Sequence, residues 1–111
     1  AADRFTYSPD IAIADGYRRG DLGFVLPARP ATLHHWGRAL ANCLADYEPA
    51  VATGRSVVIG VEERGTLVGA LELTGRPRRV RQFVAHTNGR PAPAHRHAVD
   101  RMLRDLGLVG R

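Results

Sequence analysis

The sequence contains no lysine and a single cysteine, Cys43, among its 111 residues. One cysteine excludes an internal disulfide framework and a cysteine-rich zinc site. No apolar run approaches the roughly 20 residues that a membrane-spanning helix requires, and no signal-peptide pattern is visible. We therefore expect a cytoplasmic protein without a membrane partner. Because the chain begins with Ala1 rather than methionine, a processed or trimmed piece of a larger protein is one open interpretation.

The positive charge is carried by arginine alone and is unevenly distributed along the chain. Residues 75–111 hold nine arginines and two acidic residues, whereas residues 1–74 hold seven arginines and nine acidic residues. Guanidinium groups bind phosphate and carboxylate with two parallel hydrogen bonds. The asymmetry predicts a basic surface for an anionic partner. An ordinary solvated surface explains the same asymmetry equally well, so both interpretations stay open.

Apolar residues recur at spacings of three and four from Leu33 to Val51, which predicts a helix. The stripe comprises Leu33, Trp36, Leu40, Cys43, Leu44, Tyr47 and Val51. Thr32 is the expected N-cap. Pro49 is expected to end or bend the helix near Glu48, because proline lacks the backbone donor that a helix interior needs.

Three strands and a second helix are predicted after this first helix. Segments 56–63 and 66–74 form the expected hairpin, 80–86 the third strand and 93–106 the second helix. The predicted fold is therefore α+β: a helix, a three-stranded antiparallel meander and a helix, with both helices on one face of the sheet. Residues 1–30 are predicted to be an N-terminal arm or linker with a candidate edge strand at 22–26.

Polar side chains are expected to meet on the open face of this sheet. Strand alternation places Glu72, Gln82 and His86 on the face away from the helices. These residues are weak catalytic candidates, although a half-exposed sheet carries polar residues there without any catalytic role, and that interpretation is favoured. Cys43, the other weak catalytic candidate, lies on the apolar stripe and is expected to be buried and inert.

No metal or cofactor is expected from the sequence. His95 and His97 are two residues apart, a spacing that does not direct both rings toward one ion on a helix. No third ligand is evident, and the chain lacks a phosphate-binding loop pattern.

Several short motifs follow one another in a specific order. The run Phe24–Val25–Leu26–Pro27 and the segment around Trp36 precede Leu40, Cys43, Tyr47, Gly54, Glu72, Gln82 and Asn88. This order resembles the PcfJ-like family of plasmid and phage proteins. It covers about residues 24–105, so that 31–111 would be a PcfJ-like α+β domain. Two details depart from the pattern: Asn42 stands where histidine is common, and the third strand lacks a glycine. The resemblance implies an association with mobile genetic elements and brings no assigned catalytic residues.

Three functions remain open at this point. The first is a nucleic-acid-binding or nucleoprotein-assembly module, since the helix, meander and helix order is also that of double-stranded RNA-binding domains. Its expected phosphate contacts are Arg76, Arg78, Arg79, Arg81, Arg90 and Arg96. The second is a protein-interaction domain of a larger chain. The third is a small enzyme that uses Cys43, or Glu72 with Gln82 and His86.

Overall fold

The computed structural model describes residues 3–109, whose strands form one five-stranded antiparallel sheet in the order β1-β2-β3-β4-β5. The strands are β1 (Arg18–Arg19), β2 (Leu22–Val25), β3 (Ser56–Glu63), β4 (Thr66–Thr74) and β5 (Arg79–Val84). The α-helices are α1 (Pro9–Ala12), α2 (Pro30–Leu40), α3 (Glu48–Ala52) and α4 (Pro93–Asp105). Single 3₁₀ turns cover Leu44–Tyr47 and His86–Asn88.

The N-terminal segment supplies two strands, so the predicted three-stranded sheet is wrong. The candidate edge strand at 22–26 is β2, which lies inside the sheet between β1 and β3 and pairs Phe24 with Val61. The glycines and prolines of this segment led to the prediction of an irregular arm. Pro27, however, follows β2 and therefore removes none of the strand's backbone hydrogen bonds. The arm before it also packs on the domain, because Ile11 is buried and the Tyr7 hydroxyl donates to the Pro27 carbonyl at 2.6 Å.

The long helices cover opposite faces of the sheet, which makes the prediction that both lie on one face wrong. On one face, Ile59 and Val61 of β3 join the buried cluster that contains Met102 of α4. On the other face, Val58 of β3 joins the cluster that contains Trp36 of α2. Strand β3 is apolar on both faces, as an interior strand between two helical layers requires. The molecule therefore has three layers, helix, sheet and helix.

The apolar stripe from Leu33 to Val51 is three short segments rather than one helix. Helix α2 ends at Leu40 because Ala41 adopts the left-handed conformation, with φ at 51°. The Asn42 side chain then accepts from the Leu44 backbone N–H at 3.1 Å, a local bond that competes with helix continuation. The turn leaves Cys43 exposed rather than buried. Leu44 of the following 3₁₀ turn and Val51 of α3 are nevertheless buried in the part of the core next to α2.

Helix α2 approaches the sheet closely where Trp36 lies over Gly60. A Cβ atom placed on Gly60 would lie 2.7 Å from the Trp36 Cη2 atom, closer than carbon atoms pack. The indole ring therefore depends on a glycine at the centre of β3.

The variant Gly60→Ala is expected to lower the free energy of unfolding by about 1–3 kcal/mol, because the new methyl group overpacks the Trp36 ring. Urea unfolding followed by tryptophan fluorescence measures this change. Gly23→Ala is the matched control in β2, since its nearest contact is the flexible tip of Arg18 at 3.3 Å. Equal stability of the two variants would contradict the close approach.

Candidate functional site

Five arginines gather at the end of the sheet where β3 begins, β4 ends and β5 begins. We call Arg55, Arg76, Arg78, Arg79 and Arg81 the arginine rim. A cleft of about 310 Å³, here the Gly75 cleft, lies within the rim. Its lining comprises Thr53, Gly54, Arg55, Val57, Leu73, Thr74, Gly75, Arg76 and Arg78, without an acidic residue.

Arg55 was not among the predicted phosphate contacts, although the hairpin contained the signal. Ser56 pairs with Thr74, so the residue before β3 lies beside the turn that follows β4. The predicted hairpin 56–63 and 66–74 implied this neighbourhood. Charge counting along the chain missed it because Arg55 lies outside the arginine-rich C-terminal third.

Most of the rim's charge is not neutralised within the domain. Arg78 forms an ion pair with Asp10 at 2.6 Å, and the Arg81 Nε atom lies 3.6 Å from a Glu72 carboxylate oxygen. Within residues 3–109, Arg55, Arg76 and Arg79 have no acidic partner at ion-pair distance. Three guanidinium groups at one end of the sheet therefore create a local positive potential.

The ion pair between Asp10 and Arg78 ties the N-terminal arm to the rim. Hydrogen bonds from Ser8 and from Arg78 lower the pKa of the Asp10 carboxyl to about 2. Asp10 is therefore charged at every pH at which the domain would normally be studied.

A buried polar cluster lies below the rim, on the α2 side of the sheet. Glu72 is only 6% exposed, and its two carboxylate oxygens accept from the Ser56 hydroxyl at 2.6 Å and from the Gln82 amide at 3.2 Å. The same Gln82 nitrogen donates to the Tyr47 hydroxyl at 2.6 Å. We call Tyr47, Ser56, Glu72, Arg81 and Gln82 the Glu72 cluster.

The structure brings together two of the three residues that were expected on an open polar face. Glu72 and Gln82 are direct partners across β4 and β5. Their face is not open, because the segment from Leu44 to Ala52 covers it and adds Tyr47 to the cluster. His86 lies apart in an exposed 3₁₀ turn after β5, and no hydrogen bond among the described residues links it to Glu72 or Gln82.

The predicted phosphate contacts divide between two places. Arg76, Arg78, Arg79 and Arg81 belong to the rim, whereas Arg90 is exposed in the loop before α4. Arg96 lies on α4 and lines a separate cleft of about 670 Å³, together with Arg19, His97, Ala98, Asp100, Arg101 and Arg104.

The two basic groups lie toward opposite ends of β3. His95, in the first turn of α4, contacts Glu63 at the end of β3 at 3.2 Å, whereas the rim surrounds the beginning of the same strand. An eight-residue strand spans about 23 Å. The basic C-terminal segment therefore does not form one continuous surface.

Two other kinds of feature are absent from residues 3–109. No group of three or more His, Cys, Asp or Glu side chains within that range could hold a metal ion. The helices of the same range include none that is both long enough and apolar enough to cross a membrane.

Comparisons with known proteins give no relative for this chain. No family model matches it, and neither the curated proteins nor the solved structures include a significant match.

Replacing Glu72 with alanine is expected to lower the free energy of unfolding by about 2–4 kcal/mol, because the buried donors of Ser56 and Gln82 lose their acceptor. Chemical denaturation measures the loss. Glu63→Ala is the control, since that side chain is 42% exposed and its ion pair with His95 contributes at most about 1 kcal/mol. A loss at Glu72 no larger than at Glu63 would show that the Glu72 cluster is not needed for stability.

Asp10→Asn is expected to lower the midpoint of thermal unfolding at neutral pH but not near pH 2. The folded-state pKa of Asp10 is about 2, below the ordinary value of 3.8, so its stabilising contribution is present above pH 4 and is lost as the pH falls toward 2. Thermal unfolding of both proteins from pH 7 to pH 2 tests this. If the difference in unfolding midpoint between the two proteins stays constant from pH 7 to pH 2, the stabilising role of the charged Asp10–Arg78 pair is contradicted.

Proposed function

We propose that this domain binds the phosphate backbone of nucleic acid through the arginine rim, as a nucleic-acid-binding or nucleoprotein-assembly module. The observation that carries the proposal is the group of three guanidinium side chains, Arg55, Arg76 and Arg79, without acidic partners in the described part of the chain. Arg55 and Arg76 line the Gly75 cleft, whose lining has no carboxylate. Such a site favours an anion, and phosphate is the anion that arginine binds with the best geometry.

The arginines of α4 form a weaker candidate for the same role. Arg101 and Arg104 each approach an acidic residue one turn away on α4, at 3.9 Å and 3.0 Å. Arg19 approaches Asp105 at 3.4 Å. Much of the charge in this cleft is already balanced, so the rim is the better phosphate site.

The two competing functions receive less support from the surface. Ile13 and Val80 are the large hydrophobic residues that the described chain exposes, and two side chains are too few for an extended apolar docking patch. Cys43 is exposed, but no histidine in residues 3–109 forms a hydrogen bond with it, as an activated cysteine nucleophile requires.

We also propose that the chain is related to the PcfJ-like proteins of plasmids and phages. Three of the residues on which that resemblance depends, Tyr47, Glu72 and Gln82, are joined by hydrogen bonds. Residues that are far apart in the sequence but meet in one buried cluster are a more specific feature than their spacing alone. A cytoplasmic role in handling nucleic acid of a mobile element fits this relationship.

Binding to labelled duplex DNA, duplex RNA and single strands across a salt series tests the proposed function. Affinity is expected to fall steeply with salt, because each duplex phosphate contact contributes about 0.9 to the slope of log K against log salt. In an Arg55/Arg76/Arg79→Ala variant the slope is expected to become shallower by about 2 to 3.

A variant with Arg18, Arg29 and Arg38 replaced by alanine is the matched control. It loses the same charge at exposed positions that do not belong to the rim. Retained binding in this control, together with loss in the rim variant, supports a local site. Equal loss in both variants, or no binding of the unmodified domain at low salt, would overturn the proposal.

A further inference from the structure

A second cleft adjoins the arginine rim and has the Glu72 cluster as its floor. This Tyr47 cleft has a volume of about 360 Å³. Its lining comprises Asp46, Tyr47, Ala50, Arg55, Ser56, Glu72, Thr74 and Arg81. Arg55 and Thr74 also line the Gly75 cleft, so the two clefts are neighbours along the rim.

The hydrogen bonds of Gln82 determine what the Tyr47 hydroxyl offers to this cleft. The Gln82 nitrogen has two hydrogens, of which one faces the Glu72 carboxylate at 3.2 Å and the other the Tyr47 oxygen at 2.6 Å. Tyr47 is therefore an acceptor toward Gln82, and its own hydrogen points elsewhere. No acceptor for that hydrogen occurs in residues 3–109, and Tyr47 lines the cleft. The phenol is thus a donor available to a ligand.

Two guanidinium groups supply further donors to the same cleft. The buried Glu72 carboxylate holds the Nε end of Arg81 at 3.6 Å, while 67% of the Arg81 side chain is exposed. Arg55 uses its Nε to donate to the Thr53 hydroxyl at 3.1 Å. In both residues the two terminal nitrogens remain available, since no hydrogen bond within the described chain engages them.

Asp46 and Glu72 offset the charge of Arg55 and Arg81, so the open donors rather than the net charge favour an oxyanion in this cleft. A phosphomonoester carries a charge of about −1.5 to −2 at pH 7 and three acceptor oxygens, whereas a backbone phosphodiester carries a single charge. The exposed Asp46 carboxylate is the acceptor at the cleft's edge, where it can accept from a sugar hydroxyl beside the phosphate. The cleft volume lies near the lower limit of about 300 Å³ for small-molecule sites, so it suits one nucleotide rather than a duplex.

We infer that the Tyr47 cleft binds the terminal phosphate of a nucleic-acid strand, held by Arg55, Arg81 and the Tyr47 hydroxyl. The claim that the ligand is a nucleic-acid strand rests on the proposed function. The preference for a phosphomonoester rests on the hydrogen-bond donors of the cleft. The domain would then contact the backbone with the rim and the strand end with the cleft.

Fluorescence polarisation with short single strands tests this inference. The strands carry a 5′-phosphate, a 3′-phosphate or no terminal phosphate, so that the two kinds of end are distinguished. One phosphorylated strand is expected to bind at least about tenfold more tightly than the strand without a terminal phosphate. Tyr47→Phe removes one hydroxyl and keeps the ring, and it is expected to reduce this preference several-fold.

Tyr17→Phe is the matched control, because it removes a hydroxyl that bonds to Asp105 far from the cleft. Arg81→Gln is a second variant that is expected to reduce the same preference, with thermal unfolding as the check of its fold. Equal affinity of all three strands, or a preference unchanged in both variants, would overturn the inference and leave the rim proposal intact.

Inorganic phosphate and a nucleoside 5′-monophosphate separate failure of the cleft from failure of the proposed function. Their binding is followed by NMR chemical shifts of the unmodified domain and of Tyr47→Phe. Suppose no strand binds but the monophosphate binds and the Tyr47→Phe variant weakens it. The cleft is then a phosphomonoester site, and the nucleic-acid proposal is wrong. If the monophosphate and the strands all fail to bind, both proposals are wrong.

Discussion

The buried carboxylate of Glu72 is the interaction on which the site depends. Removing a carboxylate from water is costly unless donors replace the water, and here Ser56, Gln82 and Arg81 approach it from β3 and β5. The Gln82 amide extends the same network to Tyr47 in the covering segment. One side chain of β4 therefore links β3, β5 and the covering segment close to Arg55 and Arg81.

Burial of the sheet on both faces explains why this polar network exists inside the domain. In a two-layer fold the Glu72 face would be hydrated, and the carboxylate would need no protein donors. Here α2 and the segment up to Ala52 close that face, and the Trp36 ring lies over Gly60. The covering layer ends near Arg55, so the protected interior meets solvent at the rim. Buried polar groups next to an opening are typical of binding sites rather than of a uniform core.

Local patterns predicted some elements of this structure and missed others for physical reasons. The hairpin of β3 and β4, helix α4 and the placement of Glu72 and Gln82 on one face of the sheet follow from strand alternation and helical periodicity. The break at Ala41 was missed because the periodicity of the stripe continues through it, and only the backbone conformation distinguishes it. The covered face was missed because alternating Leu71, Glu72 and Leu73 is also the pattern of a half-exposed strand. Arg55 lies in the rim because of the register between β3 and β4, which a count of charges along the sequence does not reveal.

The rim's arginines differ in how readily each can take a phosphate. Arg78 is held by Asp10, whose low pKa keeps it charged near neutral pH, so a phosphate reaches Arg78 only by displacing that carboxylate. Arg81 is held at one end by Glu72, which orients it without occupying its terminal nitrogens. Arg55, Arg76 and Arg79 have no acidic partner within the described chain. A ligand would therefore meet these three arginines first, and the N-terminal arm would limit the affinity of the fourth contact at Arg78.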